Sequence, residues 1–384
     1  MPDRKQKVLI VHNYYQIPGG EDTVVANEKK LLEDHGHEVV LYTRHNSELK
    51  TFSKLQKLLL PVSTVFSFRT YKEVKALIKK EKIDVVHVHN TLNLVSPSVY
   101  YAAFRTHVPV VQTIHNFRLL CPGATFFRDG HICEDCVTKG MSYAVKHKCY
   151  RGSRVQTLAC VISAQIHRFL GTYKKLNYIC LTDFNKEKLL QLKQIQEAQV
   201  FVKPNFVETA DEIVPYGKRK NQFVYAGRLD KLKGVDLLFK AWKLFSTEDD
   251  RLVVCGTGPM EDWCKEYIEK HQLDNVEFLG FVKNKAAKRI IGESKALILP
   301  TQWYEGFPMS IVEAYSVGTP VIGSDLGNTA SLIADGKSGW KFRSDSMEEL
   351  CEALQKAKNF GSGLDREFIE KYSMESNYHQ MREI

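Results

Sequence analysis

The chain is predicted to fold as two α/β domains in series. Short runs rich in Val, Leu and Ile, the composition of buried parallel strands, alternate with segments of helical periodicity. Glycine-bearing turns stand where several of these runs end, at Gly19-Gly20, Gly227, Gly256-Thr257-Gly258 and Gly306. A polar stretch from Thr209 to Asn221, with Pro215 and Gly217, then separates one such series from a second that begins at Phe223. At 384 residues the length suits two domains of roughly 150 residues each.

Hydrophobic content of 43% and charged content of 26% are those of a soluble globular protein. No apolar run approaches the roughly 18–20 residues of a membrane span, and the leading MPDRKQKVLIVH lacks the apolar core of a signal peptide. A cytoplasmic protein with reduced cysteines is expected, with a peripheral position on the cytoplasmic membrane face as a further location. The net charge of +9 is uneven. Residues 1–200 carry 29 Lys/Arg against 17 Asp/Glu, a balance of +12; residues 201–384 carry 25 against 28, a balance of −3. A basic first half points to an anionic partner or surface. Nucleic acid is not expected, because no nucleic-acid motif accompanies the charge.

In chain order, Lys7 to His12 reads as the first strand. The turn Pro18-Gly19-Gly20-Glu21 follows, then a helix from Thr23 to His35 with Leu31 and Leu32 inward. Paired glycines there let backbone amides approach a ligand and aim a helix start at an anion, although a plain turn reads the same way. Glu38 to Thr43 is the second strand. Thr51 to Lys82 mixes Leu55, Leu58, Leu59, Leu60, Val65, Phe66 and Phe68 with eight Lys/Arg and two acidic residues. It reads either as a membrane-interface segment or as two surface helices flanking Pro61.

Strands at Asp84 to His89 and Val108 to His115 follow, and His115 falls where strand becomes loop, a favoured place for function. Cys121, Cys133, Cys136 and Cys149 give C-x11-C-x2-C-x12-C, compatible with a tetrahedral structural zinc or with four reduced structural cysteines. A helix over Arg154 to Tyr173 carries Val155, Leu158, Ile162, Ile166 and Leu170 at helical spacing. A strand at Tyr178 to Thr182 and a helix at Lys186 to Lys193 complete the first series.

In the second series the strand Phe223 to Ala226 runs into Gly227-Arg228-Leu229-Asp230-Lys231-Leu232-Lys233-Gly234, where two cations near a helix start can hold a diphosphate. The strand Leu252 to Cys255 ends in Gly256-Thr257-Gly258-Pro259, and Val276 to Leu279 is followed by Gly280-Phe281-Val282. After the buried run Ala296 to Leu299 comes Glu305-Gly306-Phe307-Pro308-Met309-Ser310-Ile311-Val312-Glu313. Ser310 and Glu313 have capping-box spacing, while Glu305 and Glu313 can together grip a polyhydroxylated ligand. Pro320 to Gly323 is a further strand and Trp340 to Phe342 an edge strand. Ser346 caps a helix running to Lys358, and Asp365 to Ile384 reads as a final amphipathic helix.

The order of these parts resembles the retaining GT-B glycosyltransferases of glycosyltransferase family 4, over nearly the whole chain. The most specific pieces are AGRLDKLKG at 226–234 and EGFPMSIVEA at 305–314, which matches that family's E-x7-E element. Gly19-Gly20-Glu21, Pro204-Asn205, Gly256-Thr257-Gly258-Pro259 and Glu277-Phe278-Leu279-Gly280 support them. The resemblance implies two Rossmann-like domains facing across a cleft: an acceptor domain at 1–203 with a Cys-rich insertion at 117–150, a nucleotide-sugar domain at 204–364, and a helix at 365–384 crossing back. It implies Arg228 and Lys233 on the donor diphosphate, Glu305 on the transferred sugar, and Glu313 on the ribose. Phe281 and Val282 would lie near the base, and the amides around Phe307 to Ser310, in the stretch that holds Gly306, Pro308 and Met309, near sugar and phosphate. Gly19, Gly20, Glu21, Asn205 and Gly256 would line the substrates, and His115 would reach the sugar.

The chemistry so implied is hexosyl transfer with retention from a nucleotide-diphosphate sugar, UDP-linked in the favoured case. No metal or other cofactor is required for that catalysis, and the departing phosphate oxygen takes the acceptor's proton. A lipid-linked or glycan acceptor for surface polysaccharide or glycolipid synthesis, at an anionic membrane surface, is expected. A soluble acceptor, a nucleotide-sugar epimerase and a non-catalytic sugar-nucleotide-binding module are the alternatives. One departure stands out: where the family often shows Gly-Gly and then a glutamate, this chain has Gly327-Asn328-Thr329-Ala330-Ser331.

Overall fold

The computed structural model describes residues 5–16, 19–210, 212–361 and 363–384. Pro18 of the expected glycine turn lies outside the described residues. The chain divides into two compact units, Met1–Arg128 with Cys133–Lys203 and Ile384, and Pro204–Glu383 with Asp129–Ile132.

The first unit is built on strands β1 (Lys7–Tyr14), β2 (Glu38–His45), β3 (Val85–Val88) and β4 (Val110–Ile114). The small strand β5 (Phe127–Arg128) follows, then β7 (Asn177–Cys180) and β8 (Val200–Val202), while the short β6 (His131–Ile132) falls in the stretch assigned to the second unit. The six longer ones form a sheet in the order β2-β1-β3-β4-β7-β8, every pairing parallel. Leu9, Ile10 and Val11 are wholly buried in β1, flanked by the buried Val86 and Val88 of β3. Strands covered on both faces need such continuous apolar runs. The order reverses direction between β1 and β3, so the loops after those strands splay apart and leave a crevice at their carboxyl ends.

The second unit holds β9 (Gln222–Ala226), β10 (Arg251–Cys255), β11 (Val276–Gly280), β12 (Ala296–Leu299), β13 (Val321–Ser324) and β14 (Gly339–Phe342), in the order β11-β10-β9-β12-β13-β14 and again parallel. Alternate residues feed two cores. Phe223, Tyr225, Leu252, Val254 and Ile298 enter one, with Trp242 and Phe239 from the helix Val235–Phe245. Val224, Val253, Leu297, Leu299 and Val321 enter the other, with Ile311, Val312 and Tyr315 from the helix Met309–Ser316. The switch point here lies between β9 and β12, the strands that lead into Gly227-Arg228 and Pro300-Thr301.

Several expectations are corrected. The first helix starts at Gly20, earlier than Thr23. Pro61 sits inside the helix Lys54–Val65, and the break falls at Phe66, extended, and Ser67, whose hydroxyl accepts from the Thr70 amide and caps the helix Phe68–Glu81. The helix Arg154–Phe169 stops before Gly171, which takes a left-handed φ of 65°. Its apolar stripe faces outwards: Val155, Leu158, Ile162 and Ile166 are exposed, while Thr157, Ala159, Cys160 and Ser163 are buried. Residues 365–384 form two short helices, Arg366–Lys371 and Met374–Arg382, parted at Tyr372. Tyr372 is buried in the second unit and its carbonyl accepts from the Val207 amide. No helix among the described residues is long and apolar enough to cross a membrane.

Candidate active site

In the second unit the carboxyl ends of β9 and β12 bring Lys233 and Glu305 together. Lys233 Nζ lies 2.7 Å from Glu305 Oε1. The Thr301 hydroxyl donates to the same oxygen at 2.8 Å and the Trp303 indole N–H at 3.0 Å. All three of these bonds fall on Oε1. Glu305 itself is buried, which strengthens each of these charge-assisted bonds. Asn328, wholly buried, props the loop from behind, its amide donating to the Glu305 and Gly306 carbonyls at 2.6 Å each. It occupies the stretch where the expected Gly-Gly-Glu pattern is missing.

Backbone packing fixes the cationic loop. A Cβ on Gly256 would meet the Gly227 carbonyl oxygen at 1.8 Å, and one on Gly258 the Leu229 carbonyl at 2.3 Å. Gly234, at φ 68°, leaves no room for a Cβ beside the Pro300 carbonyl. These glycines therefore let the 227–234 loop press against its neighbours. Tyr225 Oη donates to the Arg228 carbonyl at 2.6 Å. The Arg228 side chain is two-thirds exposed and 3.3 Å from Asp230, free to swing onto an anion.

The helix Met309–Ser316 starts directly after Pro308 with no side-chain cap. Ser310 lies within its first turn, so the Ser310–Glu313 capping box does not form. Glu313 accepts instead from Asn284 Nδ2 at 2.7 Å. Gly306 and Phe307 lead into that helix, Phe307 and Val282 packing on the core. Phe281 stands 77% exposed beyond β11, an open aromatic face. Asn205 is buried beside Met309, its Nδ2 3.6 Å from the Met309 sulfur and its Oδ1 without a hydrogen-bond partner among the described residues.

In the first unit Gly19 precedes the helix Gly20–Asp34, and its amide donates to Asp22 Oδ2 at 3.0 Å. Asp22 Oδ1 meets His12 Nε2 at 2.8 Å, and Tyr15 donates to Glu21 at 3.0 Å. Burial pushes the Glu21 carboxyl up to about 7, with Asp22 adding to it and Tyr15 and Arg118 opposing. Burial lowers His12 to about 4 against the pull of Asp22.

His115, after β4, is half-buried, and its Nε2 lies 2.9 Å from His89 Nδ1. Burial and His89 keep it neutral. His89 Nε2 approaches Glu28 Oε2 at 3.3 Å, and Glu28 Oε1 pairs with the buried Lys203 at 2.7 Å. Burial alone would raise Glu28, but Lys203, His87 and His89 hold it well below the usual carboxylate range. Ligand atoms of Glu28, His87 and His89 lie within 4.8 Å of one another. The Lys203 ammonium already supplies the cation that this cluster calls for.

The four cysteines of the insertion are thiols, and no disulfide joins them. The hydrogen bond to Cys136 lowers Cys121 to about 6 against the effect of burial, with the Phe126, Thr125 and Gly123 amides assisting. A Cβ on Gly123 would lie 3.7 Å from Cys121 Sγ and 3.5 Å from Cys149 Cβ. Among the described residues, the group whose ligand atoms all lie within 4.8 Å of one another is Glu28, His87 and His89, not the four cysteines.

Sequence reasoning missed Asn328, Thr301 and Trp303 as supports of Glu305, and Glu28 with Lys203 behind His115. Trp303 and Thr301 stand two and four residues from Glu305, a spacing that could have flagged them. Lys203 and Glu28 are 175 residues apart and carried no local signal.

Two parallel six-stranded sheets, each with a switch point, are the architecture of the GT-B glycosyltransferases, and the comparisons agree. Residues 18–211, half of the chain, match the family described as Glycosyltransferase Family 4, and residues 207–372 match Glycosyl transferases group 1. The chain belongs to the family 4 glycosyltransferases. It is 23% identical over 361 residues to a 41.2 kDa protein of the cps region of Klebsiella pneumoniae, covering 90% of this chain and 88% of that one. It is 22% identical to one component of the human phosphatidylinositol N-acetylglucosaminyltransferase, over 92% of this chain and 69% of that one. Among solved structures, the apo lipopolysaccharide outer core galactosyltransferase WaaB superposes with a TM-score of 0.67 at 17% identity, covering 98% and 99% of the two chains. Anabaena HepE in complex with UDP gives 0.66 at 16%, covering 98% of each.

Proposed function

We propose that this glycosyltransferase moves a hexose, with retention, from a UDP-sugar to a lipid-linked or glycan acceptor in surface polysaccharide or glycolipid synthesis. The observation that carries the donor half is the Glu305 carboxylate, held through Oε1 by Lys233, Thr301 and Trp303; in this reading its other oxygen takes the sugar hydroxyls. Arg228 and Lys233 take the diphosphate, and charge building on the leaving group is met by fixed cations. Glu313 takes the ribose and Phe281, with Val282, the base. Asn205 and the amides at Gly306 to Ser310 close on sugar and phosphate. Gly256 serves by letting the Arg228 loop pack tightly.

Within the first unit, Gly19, Gly20, Glu21 and His115 are the groups offered to acceptor and sugar. The UDP of the HepE complex, the galactosyl transfer in the name of WaaB and the cps region of the Klebsiella relative support the donor and pathway class. A structural zinc on Cys121, Cys133, Cys136 and Cys149 completes the reading of the insertion. Metal analysis of protein purified without chelator should find about one zinc per chain.

Incubation of a lipid-linked or glycan acceptor with UDP-glucose, UDP-galactose and UDP-N-acetylglucosamine in turn, with product stereochemistry read by NMR, tests the proposal. Release of UDP coupled to an α-linked product is expected from one donor. Lys233→Ala and Glu305→Ala should each lower turnover by at least about tenfold. Full activity in either variant refutes the site, and an inverted product refutes retention.

A further inference from the structure

We infer that the paired helices Lys54–Val65 and Arg154–Phe169 are a docking face for an anionic lipid bilayer, into whose interface they sink their outward apolar side chains. The inference deepens the lipid-linked branch of the proposed function and rests on it for its purpose. Its physical basis is separate.

The two helices lie side by side. Ser163 Oγ reaches the Thr64 carbonyl at 3.5 Å and His167 Nε2 the Val65 carbonyl at 3.0 Å. On the first, Leu55, Leu58, Leu59 and Val62 are between 51% and 74% exposed, and Thr64 is the buried residue. On the second, Val155 is 66% and Phe169 90% exposed, with Leu158, Ile162 and Ile166 between them. The inward face of that helix is small or polar: Ala159, Ala164, Ser163, Thr157 and His167. A helix that covers a core does the reverse. An apolar stripe displayed in this way over two neighbouring helices marks an interaction site.

Charge selects the partner. Residues 136–182 hold eight Lys/Arg and no Asp or Glu, and residues 49–72 hold five and none. Lys54, Lys57 and Arg154 are exposed among the apolar side chains. A second copy of this face would set like charge against like. An anionic bilayer satisfies both the apolar stripe and the basic rim. The face is also continuous with the candidate site. A groove of about 290 Å³ between the helices, lined by Lys57, Thr64, Arg151 and Cys160, shares Thr64 and Cys160 with a cavity of about 90 Å³ lined by His115 and Arg118. A lipid-linked acceptor held at the face would have its headgroup beside His115.

Flotation of the full chain with phosphatidylcholine vesicles, with and without roughly 30% phosphatidylglycerol, tests this. Binding to the anionic vesicles alone, reversed by salt, is expected. Leu58→Ser with Ile162→Ser, at two exposed positions, should leave thermal unfolding unchanged and weaken binding by about tenfold or more. Lys54→Glu with Arg154→Glu should weaken it by a similar factor. No flotation of the unaltered chain, or equal flotation of the variants, overturns the inference. So does a stable dimer in sedimentation equilibrium that Leu58→Ser with Ile162→Ser dissociates. The assay contains neither donor nor acceptor, so failure to transfer sugar and failure to bind lipid are read separately.

Discussion

Asn328 does at one position what the expected glycine pair and glutamate cannot. It holds two carbonyls of the Glu305 loop with one amide. Asn328→Ala should lower turnover about tenfold and stability by about 1–3 kcal/mol, because two buried carbonyls lose their donor. Asn328→Asp should be worse, since it sets a carboxylate against them. Comparing unfolding midpoints with turnover separates the two effects. Titration gives a second test at this scale. His12 and His87 are depressed by burial to about 4 and about 3. Their stabilising contribution is present above the unfolded value of about 6.5 and is lost as pH falls from there through the folded values. Glu21 runs the other way: raised to about 7, its contribution is present below the ordinary carboxylate range and is lost as pH climbs through 7. Urea unfolding should therefore show lower stability near about pH 4 and near about pH 8 than near about pH 6, and Glu21→Gln should remove the alkaline loss.

Elements were legible in the sequence where composition alone decides them. The strands at Lys7, Leu252 and Ala296 were readable because strands covered on both faces need unbroken aliphatic runs. The edge strand Gly339–Phe342 was readable from its short apolar alternation. Periodicity located the stripe on Arg154–Phe169 but said nothing about which way it faced, since the spacing is the same for a core and for a surface. Ser310 and Glu313 matched a cap by spacing, yet the helix starts one residue before Ser310 because Pro308 fixes the entry. The ion pair of Lys203 and Glu28, which joins β8 to the helix Gly20–Asp34, was invisible because contacts across the sheet leave no local trace. Both side chains are wholly buried, so Lys203→Met should cost about 3–5 kcal/mol by stranding a carboxylate. Adding Glu28→Gln should recover part of that loss, read from the same unfolding curves.

At the scale of the whole molecule, two units with separate cores need not unfold together. All four tryptophans, at 242, 263, 303 and 340, lie in the second unit, so indole fluorescence follows that unit alone. UDP should raise the fluorescence-detected midpoint by mass action. A midpoint unmoved by UDP at high concentration would contradict donor binding there. The tight seating of the 227–234 loop has a thermodynamic consequence for that encounter. Gly227 and Leu229 are pinned by backbone contacts with Gly256 and Gly258, and Gly234 by contact with Pro300, so the loop is ordered before any nucleotide arrives. Calorimetry of UDP binding should then show little of the unfavourable entropy that accompanies ordering a floppy loop, and amide exchange in the loop should be slow with or without ligand. A sugar-nucleotide would meet a rigid cradle in which Arg228 alone has yet to choose its place.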